Sequence, residues 1–323
     1  MVDRGGHVWP KERGTAASDG TVLRYTVVGD DGPWVVLCSG FLCPDNWWAW
    51  YAAQLAETHR VLVGNVRGIG ASHDPAAGSP EPWSIGAFAG DVHAMMDAAG
   101  ARDALLVGHS MGCQVALETW RRDVGGDRVA GLGLVTGSYR GPLHDFYGTS
   151  VGHHLFPLLE HGSRLLPDRL VAAAPQVLRL PIAMGVARGI GALSSHTPYA
   201  GARGYFEHGA RLDGRTVLDM AAAMRAHDAG PWLGEVDVPV LVVVAENDTF
   251  TPPHLGWELR DALPDGELHL IRDGSHGALV EFPDELVDTT LGWAARRLGH
   301  PGREPRGTPG RVVPIAVDAP RPR

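Results

Sequence analysis

The chain has 323 residues, 44% of them apolar and 20% charged, so it is long enough for one large α/β domain with an insertion and should bury a sizeable core. A net charge of -9 without a basic stripe in the body of the chain argues against nucleic acid as a partner. Residues 1–20 lack the apolar core of a signal peptide and no apolar run is long enough for a membrane span, so a cytoplasmic location is expected.

In chain order, residues 22–28 and 34–38 read as strands, and Trp47, Tyr51 and Leu55 recur at fourfold spacing on one face of a helix. A strand over 60–66 and a helix over 85–99 follow, the helix with Ile85, Phe88, Val92, Met95 and Met96 on one side. Next come a strand over 104–108, a helix over 111–121 and a strand over 129–135. Short β-branched runs alternating with helical periods are the pattern of parallel strands covered by helices. From residue 138 to 230 the alternation stops. Helix-like apolar stretches at 155–166, 170–193 and 217–224 are broken by Gly and Pro, and no strand is predicted.

The sheet pattern resumes at 238–245 and 267–271 and closes with a helix opened by Pro283, Asp284 and Glu285. The expected organisation is therefore an N-terminal extension (1–20), a core in two parts (21–137 and 231–298) interrupted by a helical segment (138–230), and a disordered Pro- and Arg-rich tail (299–323). Cys38, Cys43 and Cys113 have no paired spacing and are expected to be reduced and mostly buried.

Gly108-His109-Ser110-Met111-Gly112 lies directly between the strand ending at Val107 and a helical run. A serine hydroxyl is a poor nucleophile near neutral pH and needs both exposure and a base within hydrogen-bond reach. A sharp strand-to-helix turn provides the exposure, and its tight backbone leaves room only for small residues two before and two after Ser110. The start of the following helix also brings the Met111 N–H to where a tetrahedral oxyanion would form.

With this motif in that setting, residues 20 to 298 resemble the α/β-hydrolase superfamily, in particular its capped lipase-, esterase- and meta-cleavage-hydrolase-like members. The resemblance implies a mostly parallel twisted sheet flanked by helices with an inserted helical cap. It also implies the chain order nucleophile, acid, histidine. Asp248, on the loop after the strand at 238–245, matches the acid, with Glu246 as a competitor that could instead brace the loop. His276, in Asp273-Gly274-Ser275-His276-Gly277 before the closing helix, matches the histidine. Ser39-Gly40-Phe41 stands where relatives carry a His-Gly-x turn, so the Phe41 N–H matches the second oxyanion donor while Ser39 replaces the usual histidine and leaves the bracing of that loop open. The run from Asn65 to Ser72 is similar to a structural turn of relatives and reads as scaffold.

The expected function is hydrolysis of a carboxylic ester with an apolar acyl or aryl group through an acyl-enzyme, on a small apolar ester-like substrate. No cofactor is expected, and no metal, since no histidine pair has ligand spacing. Thioester, lactone or carbon–carbon bond hydrolysis, acyl transfer and perhydrolysis would use the same three residues, and a low-turnover ligand receptor is the alternative from another class. A serine at position 110 excludes the alkyl-ester chemistry of epoxide hydrolases and haloalkane dehalogenases. The apolar stretches at 155–159 and 178–186 are expected to contribute to the pocket wall.

Overall fold

Val- and Leu-rich runs build the centre of the molecule, a single sheet of eight strands: β1 (Arg13–Ala16), β2 (Val22–Val28), β3 (Trp34–Cys38), β4 (Arg60–Asn65), β5 (Ala104–His109), β6 (Val129–Val135), β7 (Val240–Ala245) and β8 (Gly266–Ile271). The spatial order is β1-β2-β4-β3-β5-β6-β7-β8. β1 and β2 run antiparallel to their neighbours, and the remaining six strands are parallel. This is a computed structural model, and it describes residues 12–123, 125–141 and 161–302.

Every residue of β3, β5 and β7 is buried, as strands covered by helices on both faces require. Successive side chains alternate between the faces. Val35, Leu37, Leu105 and Val107 pack with Trp48 and with Tyr51 and Leu55 of α1 (Ala49–Leu55). On the other face, Val36, Leu62 and Leu106 pack with Phe88 and Met95 of α2 (Ile85–Ala99) and Val115 of α3 (Met111–Arg121). Ser84 caps α2 by accepting the Ala87 N–H at 2.9 Å, and Gly100 ends it in a left-handed conformation. The turn after β4 is anchored by the buried Arg67, which pairs with Asp91 of α2 at 2.6 Å and with Asp19 at 2.7 Å. That agrees with its reading as scaffold.

Between β6 and β7 the described residues add no strand to the sheet. They form α4 (Asp168–Ala173), a 3₁₀ turn (Ala174–Arg179), α5 (Ile182–Gly189), α6 (Tyr199–Gly209) and α7 (Gly214–Ala226). The single apolar stretch expected over 170–193 is thus broken, because Pro175 and Pro181 lack the N–H that a continuing helix needs. α6 went unread because Gly201 and Gly204 interrupt its apolar period. After β7 come α8 (Pro253–Ala262), α9 (Ala278–Glu281) and α10 (Pro283–Leu298).

β1 and α8 were not expected either. β1 is a short, exposed edge strand without alternation, and α8 buries Leu255, Gly256 and Leu259 on an otherwise polar helix. The stretch 155–159, the first half of the predicted helix at 155–166, most of the N-terminal extension and the tail from 303 onward lie outside the described residues. Cys38, Cys43 and Cys113 are buried free thiols, and burial pushes Cys38 up to about 12.

Candidate active site

β5 gives way to α3 through Ser110 alone, whose φ of 56° and ψ of -122° lie in a sparsely populated region for a residue with a side chain. Close backbone approach dictates the flanking glycines. A Cβ on Gly108 would come within 2.3 Å of the Gly112 carbonyl oxygen, and one on Gly112 within 1.9 Å of the Cys38 oxygen. The Ser110 N–H donates to the Val135 carbonyl at 3.1 Å, tying the turn to β6. Ser110 therefore stands beyond the carboxyl end of β5, at the start of α3, where first-turn N–H groups such as that of Met111 have no intrahelical acceptor.

The structure brings Ser110, His276 and Asp248 together from three separate loops. His276 Nε2 lies 2.9 Å from Ser110 Oγ, and its Nδ1 lies 2.9 Å from Asp248 Oδ2. Asp248 has 0% of its side chain exposed and its oxygens are well supplied. Oδ1 accepts the N–H groups of Phe250 at 2.8 Å and Thr251 at 2.9 Å, and Oδ2 also accepts the Thr251 hydroxyl at 2.7 Å. With Nδ1–H donated to Asp248, the Nε2 lone pair faces the serine hydroxyl, the arrangement in which an imidazole can take the serine proton.

The His276 ring is held from both sides. Phe250 stacks on it with ring centres 5.3 Å apart, and His109 lies 5.3 Å away on a tilted plane. His109 also donates Nε2–H to the His276 carbonyl at 3.1 Å. Burial, helped by the nearby His276, drives the His109 pKa down to about 3, so this brace remains neutral. Glu246, the alternative acid, sits at the surface with Oε2 accepting the Asp273 N–H at 3.1 Å, and does not contact His276. It braces the loop.

Gly40 brings the loop after β3 against the serine, since a Cβ there would stand 3.0 Å from both Ser110 Cβ and the His109 carbonyl oxygen. Phe41 follows directly. Ser39, which stands where the resemblance implies a histidine, accepts the Trp48 indole N–H at 3.0 Å in a buried bond and so supplies the bracing that the sequence left open. α6 closes over this loop: the Tyr205 hydroxyl donates to the Phe41 carbonyl at 3.4 Å, and its ring lies 5.4 Å from that of Trp47. Thr249 donates to the Ile190 carbonyl at 2.7 Å, so the inserted segment reaches the acid-bearing loop too. Of the stretch 178–186, however, Leu180, Ile182 and Val186 face solvent, because the breaks at the prolines turn them away from the sheet.

Glu281 has a role that the sequence reading did not assign. Its carboxylate accepts the N–H and hydroxyl of Ser275, at 2.8 and 2.6 Å, and also the Ser194 N–H at 2.9 Å and the Thr197 hydroxyl at 2.5 Å. It therefore ties the residue before His276 to the inserted segment. Burial opposes its charge, but these hydrogen bonds outweigh it and hold the pKa below the ordinary carboxylate value. Ser275 is a local partner, but Ser194 and Thr197 lie more than eighty residues away in sequence, beyond the reach of any local pattern. Among the described residues, no three His, Cys, Asp or Glu side chains are grouped to hold a metal ion.

Known proteins share this fold. A protein of Azorhizobium caulinodans provisionally named carbamate hydrolase RutD is 26% identical over 272 residues, 84% of this chain and 94% of that protein. An esterase from Exiguobacterium antarcticum superposes with a TM-score of 0.72 at 20% identity, covering 87% of this chain and 98% of its own. The enol-lactonase of Burkholderia xenovorans superposes at 0.67 with 22% identity, covering 87% and 99%. The family model described as alpha/beta hydrolase fold matches residues 33–283, and the chain, with its parallel sheet and Ser110 on the turn after β5, belongs to that family.

Proposed function

We propose that this protein is a serine hydrolase that cleaves a carboxylic ester with an apolar acyl or aryl group through an acyl-enzyme. The observation that carries this reading is the unbroken hydrogen-bond chain from Ser110 Oγ through the His276 ring to the buried Asp248, 2.9 Å at each link. Ser110 Oγ attacks the carbonyl carbon while its proton passes to His276 Nε2. The oxyanion is held by the backbone N–H groups of Phe41 and Met111. As the tetrahedral intermediate collapses, Nε2–H protonates the leaving alkoxide. Water then enters, gives a proton to Nε2 and attacks the acyl carbon; collapse breaks the bond to Ser110 Oγ, which takes the proton back from Nε2, and the acid is released. Asp248 stabilises the imidazolium formed in each half-reaction.

The apolar preference is supported by the aromatic side chains gathered around the serine. Phe41 follows Gly40, which abuts Ser110, Trp47 and Tyr205 pack together beside the Phe41 loop, and Phe250 covers His276. The described part of the segment between β6 and β7 reaches over them through Tyr205. Hydrolysis of a carbamate is the second reading, favoured by the name of the Azorhizobium relative. It would run through the same attack and leave a carbamoyl-enzyme.

A fluorophosphonate probe together with p-nitrophenyl esters of graded acyl length and a p-nitrophenyl carbamate tests both. Stoichiometric labelling at Ser110, with kcat/KM rising from acetate to esters of about four to eight carbons as buried methylenes add about 0.8 kcal/mol each, is expected. Absence of labelling overturns the mechanism. Faster turnover of the carbamate selects the second reading.

A further inference from the structure

The outer face of the inserted segment carries two properties together. Among the described residues, eight of the nine large apolar side chains exposed to solvent lie between residues 165 and 199, including Leu165 at 83% exposure and Ile182 at 67%. Single exposed apolar side chains are ordinary, but a concentration of this size on one segment marks an interaction surface. The same region is basic in an acidic protein. Residues 161–215 hold seven arginines against three acids, in a chain of net charge -9. Asp168 is taken by Arg215 at 2.7 Å, and Glu207, bound to Arg203 at 2.6 Å, also lies in the field of Arg179 and Arg211, so positive charge is left in excess around this one carboxylate.

These features converge on a cleft of about 640 Å³ between the 3₁₀ turn, α5 and α6. Leu178, Leu180, Met184 and Phe206 wall it, and Arg179 and Arg211 stand among its lining. Protruding apolar side chains beside guanidinium groups match the two layers of a lipid surface, the apolar ones reaching past the phosphates to the acyl chains. No single described helix is long and apolar enough to cross a membrane. The stretches Asp168–Arg179 and Ile182–Gly189 reach that apolarity only together, and they bend by 83° at the break. Such a bend suits a segment lying in the interface.

We infer that this face docks on an anionic lipid bilayer, with Leu180 and Ile182 entering among the acyl chains and Arg179 and Arg211 meeting headgroup phosphates. Charge complementarity selects this occupant over a second copy of the chain. A two-fold interface sets a patch against itself and would oppose this excess of arginine to the same excess. The inference does not rest on the ester reading. α6 nevertheless connects the two faces, since it carries Tyr205 toward the Phe41 loop and Arg203 and Phe206 toward the cleft.

The test is co-sedimentation of the full chain with phosphatidylglycerol-containing vesicles and with pure phosphatidylcholine vesicles, beside size-exclusion chromatography without lipid. Binding to the anionic vesicles is expected, weakened at least tenfold on neutral ones and by high salt. Arg179→Gln with Arg211→Gln should lower partitioning by about 25-fold, near fivefold per guanidinium, and Leu180→Ser with Ile182→Ser by at least tenfold. Both pairs are exposed, so thermal midpoints should be unchanged. Ser110→Ala should bind as the wild type does, which keeps this result separate from the fate of the ester reading. Failure to sediment with anionic vesicles overturns the inference. So does equal binding to neutral vesicles, or a dimer that Leu180→Ser with Ile182→Ser converts to monomer in a protein that ignores lipid.

Discussion

Replacing Asp248 by Asn changes one atom and inverts the hydrogen bonding of His276. In the native site Oδ1 accepts two backbone N–H groups, from Phe250 and Thr251, while Oδ2 faces His276 Nδ1. The asparagine carbonyl will keep the two backbone donors, because turning it over would set its NH₂ against them. The NH₂ then faces Nδ1, where it can only donate. His276 must accept there and carry its proton on Nε2, so that two donors meet at Ser110 Oγ. The imidazolium formed during attack also loses its buried counter-charge. Wrong tautomer and lost counter-charge together should lower kcat by about 10⁴, or about 5.5 kcal/mol of barrier. The Thr251 hydroxyl, which now donates to Oδ2, can rotate to accept from the amide, so the thermal midpoint should move little. Steady-state turnover of a p-nitrophenyl ester, with the rate of fluorophosphonate labelling, measures the effect. Turnover within tenfold of wild type in a folded Asp248→Asn protein would refute the reasoning, as would a comparable loss in Glu246→Gln.

Ser110→Gly should abolish turnover yet leave a protein at least as stable as the wild type, since a positive φ costs a non-glycine residue on the order of 1 kcal/mol or more; a drop in the denaturation midpoint would show that no strain is stored there. Glu281→Gln should slow turnover by about tenfold by loosening the loop before His276. Because the folded carboxylate is held below its ordinary pKa, the stability advantage of the wild type over this variant should be full above pH 4.5 and shrink as the pH falls below it, which thermal midpoints across pH will measure. Burial, with His300 adding to it, keeps His59 neutral down to about pH 4, whereas an unfolded chain protonates it near 6.5. The fold should therefore lose up to about 3 kcal/mol from this residue as the pH drops through that window, and His59→Gln should flatten the dependence of the urea midpoint on pH.

The strands and helices of the core were legible because their signals are local. β2, β3, α2, α3 and β6 fall at the expected bounds, each a run whose own period or apolar length declares it. The turn at Ser110 was legible for a related reason: glycines at 108 and 112, between a strand and a helix, leave few other conformations. Elements whose stability comes from neighbours were missed, among them β1, α6 and α8.

Sequence alone therefore determined the class of fold and the sharp turn that carries Ser110, because these depend on short-range patterning, whereas the order of acid and histidine along the chain is what the family resemblance implies. Tertiary structure decided which carboxylate meets His276. Asp248 and Glu246 stand two residues apart on one loop with the same chemistry, and only the path of the backbone sends one inward to Nδ1 and the other outward to the Asp273 N–H. It likewise decided that Ser39 holds the Phe41 loop through Trp48, that Glu281 joins the histidine loop to the inserted segment, and that the apolar residues after Pro181 face outward. Each of these depends on groups distant in sequence meeting within about 3 Å, or on a chain direction set by packing, and neither quantity is written in the spacing of residues along the chain.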